Sequence, residues 1–134
     1  SMAYYGSCLA VQGGQSSVLQ AVALVNEAFE VLDKAAELAR GTPNEIEVLM
    51  NRGSVASSVP NDVFGKAETA AADFMRIIEL YKTTFSTEEL NQPEIKSAIA
   101  YCYVMASRSY KTLGKQTDEI LALQEAKKLI QYNQ

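Results

Sequence analysis

The stretch that most constrains the fold is residues 65–80, where a glycine precedes a helix-type pattern of apolar residues. Ala70, Phe74 and Ile77 follow one another at spacings of four and three, which places them on one face of a helix. Ala70 is small enough to let a second helix approach, and Phe74 is large enough to fill the space between the two helices. A helix pair of this kind leaves an apolar face uncovered, so the pattern predicts further helices stacked against it.

Composition favours a single all-α domain covering residues 1–134. The chain is 48% apolar, with only seven glycines and three prolines, so a substantial core is expected. Its 12 basic and 16 acidic side chains give a net charge of −4. This balance argues against nucleic acid as a partner, because phosphate binding needs a basic surface. Apolar runs stay shorter than the roughly 20 residues of a membrane span, so direct membrane insertion is not expected.

The charge is distributed unevenly along the chain. Residues 1–95 hold 6 basic and 13 acidic groups, a balance of −7, whereas residues 96–134 hold 6 basic and 3 acidic groups, a balance of +3. An acidic first part and a basic last part of the chain could steer a partner or set how copies of the chain pack. Scattered charge on the solvated faces of helices is the alternative explanation of the same counts.

Apolar spacing and breaker residues predict six helices. Ser16 or Ser17 is expected to cap the second helix, and Asn44 with Glu47 to form a capping box at the third. Val59–Asp62 is expected to break the chain, and Ser86 or Thr87 to cap a short acidic turn. The six predicted helices cover about residues 2–11, 17–40, 44–58, 66–84, 93–112 and 117–132.

The six helices form three pairs that can be aligned as repeats, roughly residues 2–40, 44–84 and 91–132. The first helices align at small residues, where a partner helix is expected to cross closely: Gly6, Gly53 and Ser107. The second helices align through Ala28/Leu32/Ala35/Leu38, Ala70/Phe74/Ile77/Leu80 and Glu119/Leu123/Ala126/Leu129.

These features resemble the tetratricopeptide repeat family, and a divergent bacterial subgroup of it. The middle repeat matches in Asn51-Arg52-Gly53 and in Gly65, Ala70, Phe74 and Ile77; the last matches in Tyr103, Ser107, Tyr110, Leu113-Gly114, Leu123 and Ala126. Glu119 departs from the small residue that the family prefers there, and insertions lengthen the first two repeats beyond the family period of about 34 residues. The resemblance implies antiparallel helix pairs in a right-handed α-α superhelix, and no specific activity.

In this family the first helices line a concave groove, so the resemblance implies a non-catalytic scaffold that binds an unknown protein or peptide. Arg108 and Lys111 stand three residues apart, and Lys115 follows one turn later. Such a row could bind a carboxylate or an acidic peptide, or be an ordinary solvated face. The family's carboxylate clamp is not expected, because only Asn51 among its positions fits. By alignment the groove positions are Glu47, Met50, Ser54, Tyr101, Val104, Arg108 and Lys111.

Catalysis and metal binding find little support in the sequence. There is no histidine, which is the commonest general base and metal ligand. Cys8 and Cys102 lie among apolar neighbours and are expected to be free, buried thiols, although a disulfide between them stays open. The carboxylates of residues 27–37 are expected on a solvated helix face. The sequence therefore predicts no enzyme, no cofactor and no metal.

Self-association is the alternative function, through a homodimer. The last helix carries a set of apolar residues too wide for one buried face, and no polar capping helix follows. The set is Ile120, Leu121, Leu123, Ala126, Leu129 and Ile130. A small-ligand carrier or an enzyme is the third and weakest hypothesis. The compartment stays open between cytoplasmic and exported, because Ser1-Met2 looks like a cloning remnant and an export signal could have been removed.

Overall fold

The long helices of the protein pack one against the next in the order of the chain. The computed structural model describes residues 17–131. Helix α1 packs against α2, α2 against α4, α4 against α6, and α6 against α7. Within the described residues the chain is all-helical, as predicted. The helices are α1 Val18–Ala39, α2 Glu45–Ser58, α3 Asn61–Phe64, α4 Ala67–Thr84, α5 Thr87–Leu90, α6 Pro93–Thr112 and α7 Gln116–Gln131.

The five long helices correspond to the second to sixth predicted helices, with bounds that differ by at most one residue. The first predicted helix, with Gly6 and Cys8, lies outside the described residues. Two short helices, α3 and α5, were not predicted as helices. The expected break at Val59–Asp62 is therefore only partly correct: Val59 is extended before Pro60, but α3 begins at Asn61.

Neighbouring long helices are antiparallel, so α2 and α6 run in the same direction. Along the α2/α4 contact, Glu45 pairs with Arg76 and Arg52 with Asp73, so residue numbers rise on one helix as they fall on the other. Along the α4/α6 contact, Ala67 shares a cavity with Ser109, whereas Lys82 shares a groove with Ile99.

The core lies along the contacts between successive helices. Leu32, Phe74, Ile77 and Cys102 are its largest fully buried side chains. The predicted close crossing at Gly53 is confirmed, because a Cβ added there would lie 3.2 Å from Cε2 of Phe74. A larger residue at Gly53 would therefore force α2 and α4 apart or displace the Phe74 ring.

Two leucines of the aligned repeat positions are exposed rather than buried. Leu38 is 61% exposed and Leu123 is 38% exposed. Two successive steps of three residues, from Leu32 through Ala35 to Leu38, turn the side chain about 120° away from the starting direction. Helix α1 buries Ala36 and Ala39 instead, and α7 buries Ala122 and Ala126.

The predicted caps were correct at Ser17 and Ser86 and wrong at Asn44. Ser86 forms a complete capping box with Glu89, and the Ser17 side chain accepts a hydrogen bond from the Gln20 N–H. Asn44 makes no side-chain cap because its backbone is helical, whereas a capping residue needs an extended backbone. The turn is closed instead by the Glu45 carboxylate, which accepts a hydrogen bond from the Gly41 N–H at 2.9 Å.

Candidate functional site

The seven predicted groove residues divide into exposed and core-packed side chains. Met50 and Val104 are half-buried and pack against the core. Tyr101 is 47% exposed, and its ring meets Phe74 edge-on at 6.1 Å between centroids. The other four predicted residues are exposed: Glu47 and Ser54 on α2, and Arg108 and Lys111 on α6.

A cavity between the carboxyl-terminal halves of α2 and α6 brings one predicted residue, Arg108, beside α2. We name it the α2/α6 cavity; it has a volume of about 160 Å³. The other six predicted residues are not part of its lining, so the structure gathers the predicted site only partly. The residues lining the cavity are Ala56, Ser57, Val59, Asn61, Ala67, Met105, Arg108, Ser109 and Thr112.

The guanidinium of Arg108 is the charged group of this cavity. Its Nη1 lies 3.9 Å from Sδ of Met105, a weak acceptor. Among residues 17–131, no carboxylate lies within ion-pair distance of Arg108. Thr112 Oγ1 donates a hydrogen bond to the backbone carbonyl of Arg108 at 3.2 Å, so this bond does not involve the guanidinium. A guanidinium placed in this way is suited to a carboxylate from outside the chain.

Polar side chains of the cavity that the sequence analysis missed come from α2, α3 and α6. Asn61 Oδ1 accepts a hydrogen bond from the Ala67 N–H at 2.9 Å, and Ser57 is exposed at the rim. Ser57 lies three residues beyond Ser54, so extending the predicted spacing by one turn would have found it. Asn61 belongs to helix α3, which was not predicted, so helical spacing could not identify it as a site residue.

Tyr103 is buried, and its hydroxyl is bonded. Lys82 Nζ donates a hydrogen bond to Tyr103 Oη at 2.9 Å and lies 5.5 Å from the centre of its ring. Tyr110 is half-buried, and burial raises the pKa of its phenol. These two tyrosines therefore serve the core, whereas Tyr101 presents part of its ring to solvent.

A second cluster of polar side chains joins α1, α2 and α4. We call Asp33, Glu45, Arg52, Asp73 and Arg76 the ion-pair cluster. Arg52 binds Asp73 with two hydrogen bonds, Nε–Oδ2 at 2.9 Å and Nη2–Oδ1 at 2.7 Å, and reaches Asp33 through Nη1 at 3.2 Å. Arg76 Nε donates to Glu45 Oε2 at 3.1 Å, and its Nη1 to Glu79 at 3.0 Å.

The pKa values of the two inner carboxylates of the cluster are shifted in opposite directions. The hydrogen bond from Arg76 holds the pKa of Glu45 below its ordinary value of 4.5. Desolvation raises the pKa of Asp73, which is only 2% exposed, and the bidentate Arg52 opposes that rise. Hydrogen bonding to Asp73 raises the pKa of Arg52 in turn.

The ion-pair cluster borders a cavity of about 420 Å³ that also includes Arg40 and Glu37. Each arginine of the cluster is already bonded to carboxylates of a neighbouring helix, so the cluster holds helices together. Sequence analysis placed Asp33 on a solvated face. It is exposed, as predicted, but its bond to Arg52 also links α1 to α2.

Cys102 is a free thiol with no exposed surface, and burial raises its pKa to about 12. The predicted free, buried thiol is therefore confirmed at Cys102. At neutral pH the protonated form dominates, and a protonated thiol is a poor nucleophile. Cys8, its only possible disulfide partner, lies outside the described residues.

In residues 17–131, no group of three or more cysteine, aspartate or glutamate side chains is arranged to hold a metal ion. In the same part of the chain, no helix is both long and apolar enough to cross a membrane. In comparisons with known proteins, no family model, no curated protein and no solved structure matches this chain.

Proposed function

We propose that this protein is a non-catalytic scaffold of the tetratricopeptide type that binds a peptide or protein segment between α2 and α6. The observation that carries the proposal is the guanidinium of Arg108 at the α2/α6 cavity, which forms no ion pair with any carboxylate of residues 17–131. The segment would place an aspartate, a glutamate or a terminal carboxylate against Arg108 and Ser57. Its apolar side chains would lie along Met50, Tyr101 and Val104.

The packing of the helices supports this proposal. Successive antiparallel helices place α2 and α6, the first helices of two repeats, in the same direction on either side of the cavity. Gly53 provides the close crossing that the family uses between the helices of a pair. Exposed Tyr101 offers a large, rigid contact surface, and such residues dominate many binding interfaces.

A peptide selection tests the proposal with a matched control. Displayed random peptides are selected on the full chain, and the enriched peptides are measured by fluorescence anisotropy. We expect acidic residues among them, and we expect Arg108→Ala to weaken binding about tenfold or more, since a charge-assisted contact is lost. Lys127→Ala removes an exposed positive charge on α7 that does not line the cavity, and it should change affinity less than about twofold.

Selected peptides without acidic residues, or equal affinity for the wild type and Arg108→Ala, would overturn the assignment of the cavity. Because Arg108 is exposed, its truncation should not unfold the chain. Circular dichroism of each variant separates lost binding from lost structure.

Self-association remains the second candidate function, and one observation favours it. Helix α7 exposes apolar side chains at Ile120, Leu121 and Ile130, which are 46%, 54% and 48% exposed. In an array of stacked helix pairs, the outer face of the last helix is the position where another pair would pack. A second copy of the chain could cover it.

A further inference from the structure

A groove beside the start of α6 and the end of α7 combines an apolar floor with a basic rim. It lies among the end of α4, the short helix α5, the start of α6 and the end of α7, with a volume of about 330 Å³. Ile99, Leu90 and Leu129 form the floor, and Ile99 is 3% exposed. Leu90 and Leu129 are half-buried, so an occupant would cover apolar surface that water now reaches. We call this the lysine-rimmed groove.

Lysines from three helices surround the floor: Lys82, Lys96 and Lys128. The hydrogen bond to Tyr103 at 2.9 Å holds Lys82 in place, and Lys128 Nζ lies 3.1 Å from Glu125 Oε1. Three positive side chains and one carboxylate, Glu125, leave the rim with a balance of +2. The groove therefore fits an apolar side chain flanked by carboxylates.

The outer face of α1 carries that combination. Glu27, Glu30 and Glu37 are exposed, and Leu38 is 61% exposed. At 100° per residue these four lie within an arc of about 100°. Lys34 lies in the same arc, so the face has a balance of −2. The wider chain follows the same division, with −7 over residues 1–95 and +3 over residues 96–134.

We propose that a second copy of this chain occupies the lysine-rimmed groove with the outer face of its α1. Leu38 of one copy would enter between Leu90 and Leu129 of the other, and Glu30 and Glu37 would face Lys82 and Lys128. The two surfaces of each contact differ, so copies join head to tail. This inference goes beyond peptide binding at the α2/α6 cavity and uses none of its residues.

The test is the solution mass of the full chain, measured by light scattering from about 1 μM to about 1 mM at low salt. We expect the mass to rise above 14.6 kDa with concentration, and to rise less at about 0.5 M salt because screening weakens the charge contacts. Two charge reversals separate the surfaces: Lys82→Glu with Lys128→Glu in the groove, and Glu30→Lys with Glu37→Lys on α1.

Each reversed variant alone should stay at the monomer mass, because both of its surfaces then carry the same sign. An equimolar mixture of the two should associate again, since each variant supplies the surface that the other needs. That rescue also shows that both variants are folded. Lys115→Glu with Lys127→Glu makes the same charge change outside the groove and should associate like the wild type.

A constant mass of 14.6 kDa at every concentration would overturn the proposal. Association that survives both reversals, or a mixture that fails to associate, would overturn it as well. If Leu121→Glu abolishes association while the reversals do not, the outer face of α7 is the contact and the lysine-rimmed groove is not. None of these outcomes affects Arg108, so peptide binding fails or succeeds separately.

Discussion

Two parts of the molecule are held together by different chemistry. We call the contacts among α1, α2 and α4 the front, and the contacts of α6 with α4 and α7 the rear. At the front, α1, α2 and α4 are joined by arginine–carboxylate pairs that cross between helices, with Arg52 and Arg76 at their centre. At the rear, α6 meets α4 and α7 through small and apolar residues, among them Ala106, Ala122 and Ala126. Lys82 adds one polar contact there, to the buried Tyr103.

This difference shows two ways to specify how helices stack. A bidentate arginine–carboxylate pair fixes one register, because a shift along the helix would leave a charge buried without its partner. Rows of alanine fix distance instead, because only small side chains let two helices approach closely. The front should therefore be sensitive to lost charges, and the rear to added volume.

The largest expected effect is at the front, on removing Asp73. Asp73→Ala leaves Arg52 without its bidentate partner in a mostly buried position, and we expect a loss of about 2–4 kcal/mol in the free energy of unfolding. Urea denaturation measures it. Asp62→Ala, at an exposed carboxylate on α3, should change stability by less than about 0.5 kcal/mol.

Replacing Arg52 and Asp73 together tests whether the pairing of charges or the packing of side chains holds the front together. Arg52→Met with Asp73→Leu removes both charges, and the loss should be smaller than for Asp73→Ala alone. Equal losses for the single and double variants would show that packing, and not the pairing of charges, holds the front together.

The next effect is at the rear, on enlarging Ala106. Ala106 is fully buried, so Ala106→Leu forces extra volume into the contacts of α6 and should cost about 1–3 kcal/mol. The loss should be the same at low and high salt, since no charge is involved. Ala23→Leu on the exposed part of α1 is the control, and a similar loss there would contradict a volume limit specific to the rear.

The smallest expected effect is a pH-dependent one at Glu45. Because Arg76 lowers the pKa of Glu45 in the folded state, the carboxylate stabilises the protein above its unfolded pKa, near 4.5. That stabilisation disappears as pH falls through the lowered folded pKa. Glu45→Gln should therefore cost about 1 kcal/mol at pH 7 and nothing at the acid end of the range.

Denaturation curves at several pH values measure the Glu45 contribution. Glu27→Gln, at an exposed carboxylate on α1, should behave like the wild type throughout. A Glu45→Gln difference that stays constant from pH 7 to pH 3 would mean that the hydrogen bonds of Glu45, rather than its charge, stabilise the turn.

Much of the helical pattern could be predicted from the sequence because its signals are local. The five long helices follow from apolar spacing and breaker residues, and Ser86 was one of the two residues named as the cap of the short acidic turn. The close crossing at Gly53 was also predicted, since a small residue inside a helix, away from any loop, indicates close contact with a neighbouring helix. Helix α3 was missed because proline and asparagine indicate a turn as readily as a four-residue helix.

The candidate site was less predictable. Arg108 was named from its position on α6, but its lack of a carboxylate partner in the described part of the chain depends on every neighbouring helix. Leu38 and Leu123 show the same limit, because both are apolar residues at aligned repeat positions and yet both are exposed in the structure.

By itself the sequence determined the five long helices, their order, the glycine at the α2/α4 crossing and the opposite charge balances of the two parts of the chain, because each of these can be read from residues close together in the chain. Only the tertiary structure decided that Arg52 pairs with Asp73 across 21 positions and that Lys82, Lys96 and Lys128 surround one groove. These contacts depend on the rotation and register of whole helices, which many weak packing contacts set together.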